Sequence, residues 1–146
     1  MTEADRWLAL LEKDGGRVTT PRRAIVNLLV NAIHAMDPVE IYDMVRKETP
    51  SVGLVTVYRT LDLLARLGLV ERIHLKDGCH LILRAAHGHE HAVLCTSCGR
   101  AEYISGEDLS GWIERVSLES GFKIQSHWLQ LQGLCEDCQK AAEKTK

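Results

Sequence analysis

The stretch GLVTVYRTLDLLARLGLVERIHLKDGCHLIL, Gly53 to Leu83, carries two periodicities in succession. Leu54, Val57, Leu61 and Leu64 recur at helical spacing, and Gly68 marks where that helix stops. The residues after it alternate apolar and polar on both sides of Asp77-Gly78, a strong signal for a β-hairpin. The residues upstream give that succession its meaning.

Two more helices precede it. TTPRRAIVNLLVNA is predicted to be capped by Thr20, with Pro21 in the first turn, where its missing N–H costs nothing. DPVEIYDMVRK begins with a capping box, Asp37 as the cap and Glu40 reaching back, with Pro38 at the first helical position. Residues 3–14 add an amphipathic helix built on Trp7, Leu8, Leu10 and Leu11. Three helices and a hairpin within residues 19–83 predict a winged helix-turn-helix. In that fold the start of an exposed helix enters the major groove, while arginines, hydroxyls and backbone amides meet phosphates. Arg22, Arg23, Thr56, Tyr58, Arg59 and Lys76 of the hairpin are the candidate contacts. Two other readings stay open: a winged adaptor for proteins, and a small α+β domain with solvated arginines.

Charge leans the same way. Residues 17–76 hold nine bases and six acids, against seven and ten in residues 77–146, within a chain of net charge −2. The basic middle suits a polyanion. The acidic start MTEADRWLALLEKDGG is unlike a signal peptide, and no apolar run reaches the roughly 18 residues that span a bilayer. A cytoplasmic protein with no membrane partner is expected.

The second half carries metal chemistry. Four of the five cysteines form two CxxC pairs, Cys95/Cys98 and Cys135/Cys138, with 36 residues between the pairs. A two-residue spacer lets a turn aim both sulfurs at one ion, and zinc favours four thiolates in a tetrahedron. Such a site has no open position, so structural Zn²⁺ is predicted. The intervening segments, strands at AVLC and AEYI, a helix capped by Ser105 at SGEDLSGWIERVSLES, and a half-buried strand at FKIQSHWLQLQG, must then form a mini-domain stapled at its ends. The charged tail after CEDC is expected to fray.

Ahead of Cys95, His87, His89 and His91 sit at every second position. In an extended strand all three would share one side, with Glu90 on the other, over about 14 Å of chain. His127 on the later strand and Glu107 or Glu114 on the helix could complete a second, regulatory site for Zn²⁺, Fe²⁺ or Mn²⁺. A solvated polar linker is the competing reading. Catalysis is not expected. A zinc deaminase needs Pro before its CxxC, whereas Leu94 precedes Cys95, and nothing supports a metallo-hydrolase base or a small-molecule substrate.

Together these motifs make the chain resemble the ferric uptake regulator (Fur) family of metal-dependent repressors. The match runs through RVTTPRRAI, HAMDPVEIY, GLVTVYRTLDLLARLGLV, the His-rich segment, CTSCG, SGFKIQSH and GLCEDC. The resemblance implies an α+β chain: a winged-helix DNA-binding domain at 1–84, a hinge and His-rich connector at 85–91, and a dimerisation and metal-binding domain at 92–146. It implies a homodimer on a double-stranded operator, with metal occupancy setting DNA affinity. Zinc uptake control comes first, then iron or manganese, with peroxide sensing as a further option. It places Tyr58 and Arg59 on the recognition helix and the four cysteines at structural zinc.

The regulatory ligands depart from the family pattern. Counted back from Cys95 without a gap, the sensing positions fall on Ala92 and Glu90, while His89, His91 and His127 fall on a second site. One inserted residue would make His89 and His91 the sensing pair, because a single-residue slip exchanges strand faces. The carboxylate expected after CxxCG falls on Tyr103 beside Glu102, and the helix carboxylate falls on Ser110. His34, Glu71, Cys79 and His80 are further conceivable ligands, with Cys79 read first as a hairpin residue. A metal-buffering or storage protein that uses the winged fold for protein contacts is the alternative from another class. Steeply salt-dependent DNA binding separates the two.

Overall fold

The computed structural model describes residues 1–75, 78–88, 90–106 and 108–145. Lys76, His89 and Glu107, three of the expected site residues, lie outside the described residues, as do Asp77 of the expected hairpin turn and Lys146. The chain divides into two compact units, residues 1–85 and 86–146.

In the first unit, local chemistry sets the helix starts. Helix α1 (Glu3–Lys13) opens with a capping box between Thr2 and Asp5. Helix α2 (Thr20–Val30) is capped by Thr19, whose hydroxyl accepts the Arg22 N–H at 3.4 Å. The cap therefore lies one residue before the Thr20 expected from sequence. Two adjacent threonines offer the same oxygen, and Thr20 is already helical. Helix α3 (Pro38–Glu48) starts as expected. Asp37 accepts from the N–H groups of Val39 and Glu40 at 2.8 and 2.9 Å, and Glu40 accepts from the Asp37 N–H at 2.9 Å.

Helix α4 (Leu54–Arg66) buries Val57, Leu61 and Leu64. Thr60 is buried on the same face, its hydroxyl donating to the Thr56 carbonyl at 2.7 Å. Strands β1 (Val70–His74) and β2 (His80–Arg84) form the antiparallel wing, Val70 opposite Arg84 and His74 opposite His80. Met36 pairs with Ile82, tying the wing to the segment before α3. Trp7, Ile25, Leu29, Ile41, Leu61 and Leu64 converge in one core with Val70 and Ile82, none of the six more than 1% exposed. Each such side chain contributes roughly 1.5–3 kcal/mol by leaving water, so this unit has a hydrophobic centre of its own.

The second unit is built on β3 (Glu90–Cys95), β4 (Ala101–Ser105), α5 (Ser110–Ser120), β5 (Gln130–Gly133) and α6 (Glu136–Lys144). The sheet order is β4-β3-β5, with β3 antiparallel to β4 and parallel to β5. A parallel pair needs a crossover, and α5 lies in that connection.

Four expectations are corrected here. Ser105 does not cap α5, because it pairs with Glu90 in the sheet; the helix begins five residues later, where Asp108 accepts the Ser110 N–H at 2.9 Å. Only Gln130–Gly133 of FKIQSHWLQLQG is strand, and His127 lies outside it in an irregular, exposed segment. The tail after CEDC is helix α6 rather than frayed chain. Finally, the connector ends before residue 91, since Glu90 and His91 pair with Ser105 and Ile104 as part of β3.

Candidate metal centre and nucleic-acid interface

The metal centre is assembled from three backbone devices. Cys95 ends β3 and is buried. The chain then turns back on itself: the Gly99 N–H donates to the Cys95 carbonyl at 3.0 Å, and the Cys95 N–H to the Arg100 carbonyl at 2.8 Å. Gly99 sits at φ +77°, a left-handed conformation that costs glycine little, which explains the Gly after CTSC. This turn carries Cys98 alongside Cys95. The other pair comes from α6, with Cys135 as its N-cap and Cys138 in its first turn. Strand β5 delivers that helix, as Gly133 pairs with Cys95 and its carbonyl accepts the Thr96 N–H at 2.8 Å.

The four sulfurs lie within 4.8 Å of one another, and those of Cys98 and Cys135 are 3.8 Å apart. A tetrahedral zinc with bonds of about 2.3 Å spaces its sulfurs about 3.8 Å apart, so the donor set fits that ion. One sulfur is already held toward thiolate. The Cys135 N–H donates to the Cys95 sulfur at 3.3 Å, and this bond, with further N–H donors from Cys98 and Ser97, pulls the Cys95 thiol down to about 6. The Cys138 thiol goes the other way. The Ser97 hydroxyl lowers it, but the neighbouring thiol of Cys135, desolvation and the remaining cysteines outweigh that and push it up to about 12. Without an ion, four adjacent sulfurs cannot all ionise; a dication removes that conflict. Arg100, which no sequence signal singles out, bridges Glu102 and Asp137 at 2.5 and 3.5 Å beside the cluster.

The expected regulatory residues are not gathered in the same way. Among the described residues, the four cysteines are the only group of three or more His, Cys, Asp or Glu side chains close enough to share an ion. His91 is buried in β3. His87 lies in a turn, its carbonyl accepting the Glu90 N–H at 3.0 Å, and Gly88 between them sits at φ +58°. That positive φ ends the strand, so the alternation assumed for His87 and His91 does not hold. His127 is exposed.

The candidate nucleic-acid contacts lie in the first unit. Arg22, Thr56 and Arg59 line one open cavity of about 560 Å³, together with Arg17 and Thr19. Arg22 is oriented by donating to the Arg17 carbonyl at 2.8 Å. Tyr58 and Arg59 are exposed on the first turns of α4, and its Gly53 cap offers no side chain to the helix amides. Arg23 departs from this group. It faces the groove between α2 and α3, a mostly apolar cavity of about 700 Å³ that also includes Leu28, Ile33 and Met44.

A winged helix-turn-helix joined to a second unit closed by four cysteines defines a class: winged-helix proteins with a metal-binding α/β partner unit. A model of the ferric uptake regulator family matches residues 13–132. The chain belongs to the ferric uptake regulator family. It is 34% identical to the zinc uptake regulation protein of Mycobacterium tuberculosis H37Rv over 124 residues, 85% of this chain and 95% of that one. It is 35% identical to the ferric uptake regulation protein of Bacillus subtilis over 139 residues, 92% and 93% of the two chains. The crystal structure of the Vibrio cholerae ferric uptake regulator superposes with a TM-score of 0.67 at 25% identity, covering 87% of this chain and 98% of that one. Among the described residues no helix is long and apolar enough to cross a membrane.

Proposed function

We propose that this chain is a cytoplasmic, homodimeric, metal-responsive repressor that binds double-stranded DNA through its first unit. The observation that carries the reading is the polar face where α4 begins. Arg22, Thr56 and Arg59 share one cavity there, beside an exposed helix N-terminus whose cap contributes no side chain. Helix amides, a hydroxyl and two guanidiniums in one place match the phosphate-positioning chemistry of helix-turn-helix proteins. Tyr58 and Arg59 are assigned to base and backbone contacts in the major groove, with Arg23 and Lys76 as flanking charges.

Cys95, Cys98, Cys135 and Cys138 hold the structural ion. Bound zinc supplies a closed cross-link between the β3 turn and the start of α6, without an open coordination position. A second, regulatory ion (zinc first, iron or manganese next) is assigned to imidazoles and carboxylates from His87, His89, Glu90, His91, Glu107 and His127. These residues set DNA affinity by binding the ion more tightly in one arrangement of the dimer than in another. The similarity to regulators named for zinc and for ferric uptake supports this reading without choosing the metal.

The dimer has physical support in the second unit. Helix α5 buries no residue in a single chain, and Trp112, Leu118 and Phe122 are 55%, 79% and 70% exposed. Apolar surface on this scale marks a face that another protein covers.

The test begins with a random duplex DNA pool selected on metal-loaded protein. Rebinding of the selected duplex is then compared for loaded and chelator-stripped protein. Loaded protein is expected to bind more tightly, and Arg59→Ala to cost about 1–3 kcal/mol of that affinity with zinc content unchanged. Equal binding by loaded and stripped forms overturns the proposal.

A further inference from the structure

We propose that the tip of the β1–β2 hairpin is a metal site in its own right, with His74 and His80 together ligating a late first-row dication such as Ni²⁺, Cu²⁺ or Zn²⁺.

The argument starts from register. Both backbone groups of Ile82 are bonded to Met36, the N–H donating at 2.7 Å and the carbonyl accepting at 3.1 Å. They therefore point away from β1, which makes Arg72 opposite Ile82 a non-hydrogen-bonded pair. Alternation makes Ile73 and Leu81 a bonded pair, and His74 and His80 again a non-bonded one. The bond from the Leu75 N–H to the Cys79 carbonyl, at 2.8 Å, fits that phase one step further along. Non-bonded pairs bring opposite side chains closest, with Cα atoms about 4.5 Å apart.

The two imidazoles accordingly stand on one face. Their ring centroids are 6.3 Å apart and their planes are tilted by 51°. A tetrahedral ion with metal–nitrogen bonds of about 2.0–2.1 Å draws such rings to about 5 Å. Rotation of His74 about its side-chain bonds supplies the difference, since it is exposed; His80 is half-buried. Among the described residues neither ring makes a hydrogen bond to another group, so their nitrogens are available as donors. The nearest pair on the same face does not compete, because Arg72 is held by Asp62 of α4. Cys79 precedes His80 by one residue and so belongs to the opposite face.

A pair of imidazole nitrogens selects for borderline metals that favour nitrogen, which are the late first-row dications, over magnesium or calcium. An ion here cross-links the two strands at their free end. Its ligands are other residues than the four cysteines and the histidines near residue 90.

The test uses full-length, zinc-loaded protein carrying His87→Ala, His89→Ala, His91→Ala and His127→Ala, which removes the imidazoles assigned to the regulatory ion. Nickel alone is titrated by calorimetry, since it does not oxidise thiols. One nickel per chain is expected. Adding either His74→Ala or His80→Ala should weaken that binding at least tenfold. His74→Gln and His80→Gln should do the same, with circular dichroism at the parental level showing that the hairpin still folds. The proposal is overturned by an absence of nickel binding in the parent, by unchanged affinity in the variants, or by dependence on only one of the two histidines.

Discussion

The two units solve the same problem differently. The first buries Trp7, Leu11, Ile25, Ile41, Val57 and Leu64 completely. Among the described residues, the second buries only a short apolar run along β3 and at Ala101, and neither α5 nor α6 has a buried residue. A small domain that cannot remove enough apolar surface from water needs a staple or a partner. Four adjacent sulfurs provide the first, and the exposed Trp112, Leu118 and Phe122 invite the second. The first unit is held together by side chains that the sequence places there; the second depends on something outside its own chain.

The largest test of that contrast is Cys95→Ser. Zinc binding to a structural site of this kind is worth about 10–16 kcal/mol, so the second unit should lose its zinc and its structure while the first keeps its own melting transition. A single unchanged transition with full zinc content would break the comparison. Next in size is Leu61→Ala, which should cost the first unit about 2–5 kcal/mol in denaturant unfolding without loss of zinc. If the second unit unfolds in step, the two are not energetically separate. Trp112 and Leu118 are 55% and 79% exposed in one chain, and both can be replaced by Ala together without opening its core. Dimer dissociation measured by sedimentation equilibrium should nonetheless become at least tenfold easier, which is about 1.4 kcal/mol. The smallest effect belongs to Asp37→Ala, where losing the cap of α3 should cost about 1 kcal/mol, seen only in the first unit's transition.

How much could be read from the sequence follows the same division. The α3 capping box at Asp37 and Glu40, the stripe of α4 and the wing at residues 70–84 were all legible, because each is set by neighbours a few residues apart. The α2 cap was misplaced by one residue, since Thr19 and Thr20 offer identical chemistry. In the second unit the readings that failed were those that needed distant partners. Ser105 has the makings of a cap, but Glu90 claims it for the sheet. The alternation in FKIQSHWLQLQG suggested a strand, but the only strand pairing there is the parallel one of β5 with β3, which covers Gln130–Gly133. Alternating histidines suggested one continuous face, yet Gly88 at φ +58° ends it before His87. Arg100 carried no signal at all, because its partner Asp137 lies on a different element.

The sequence by itself determined the winged architecture, the family, and the four cysteines as a zinc-type donor set. Local periodicity, turn chemistry and ligand spacing are written along the chain, and they need no knowledge of what packs where. Only the tertiary structure decided that Cys95 is the thiol held toward its charged form, that Arg22, Thr56 and Arg59 share one cavity while Arg23 does not, and that His74 faces His80. Those facts depend on backbone amides, strand register and helix placement arriving together from distant segments, and no local pattern encodes their distances.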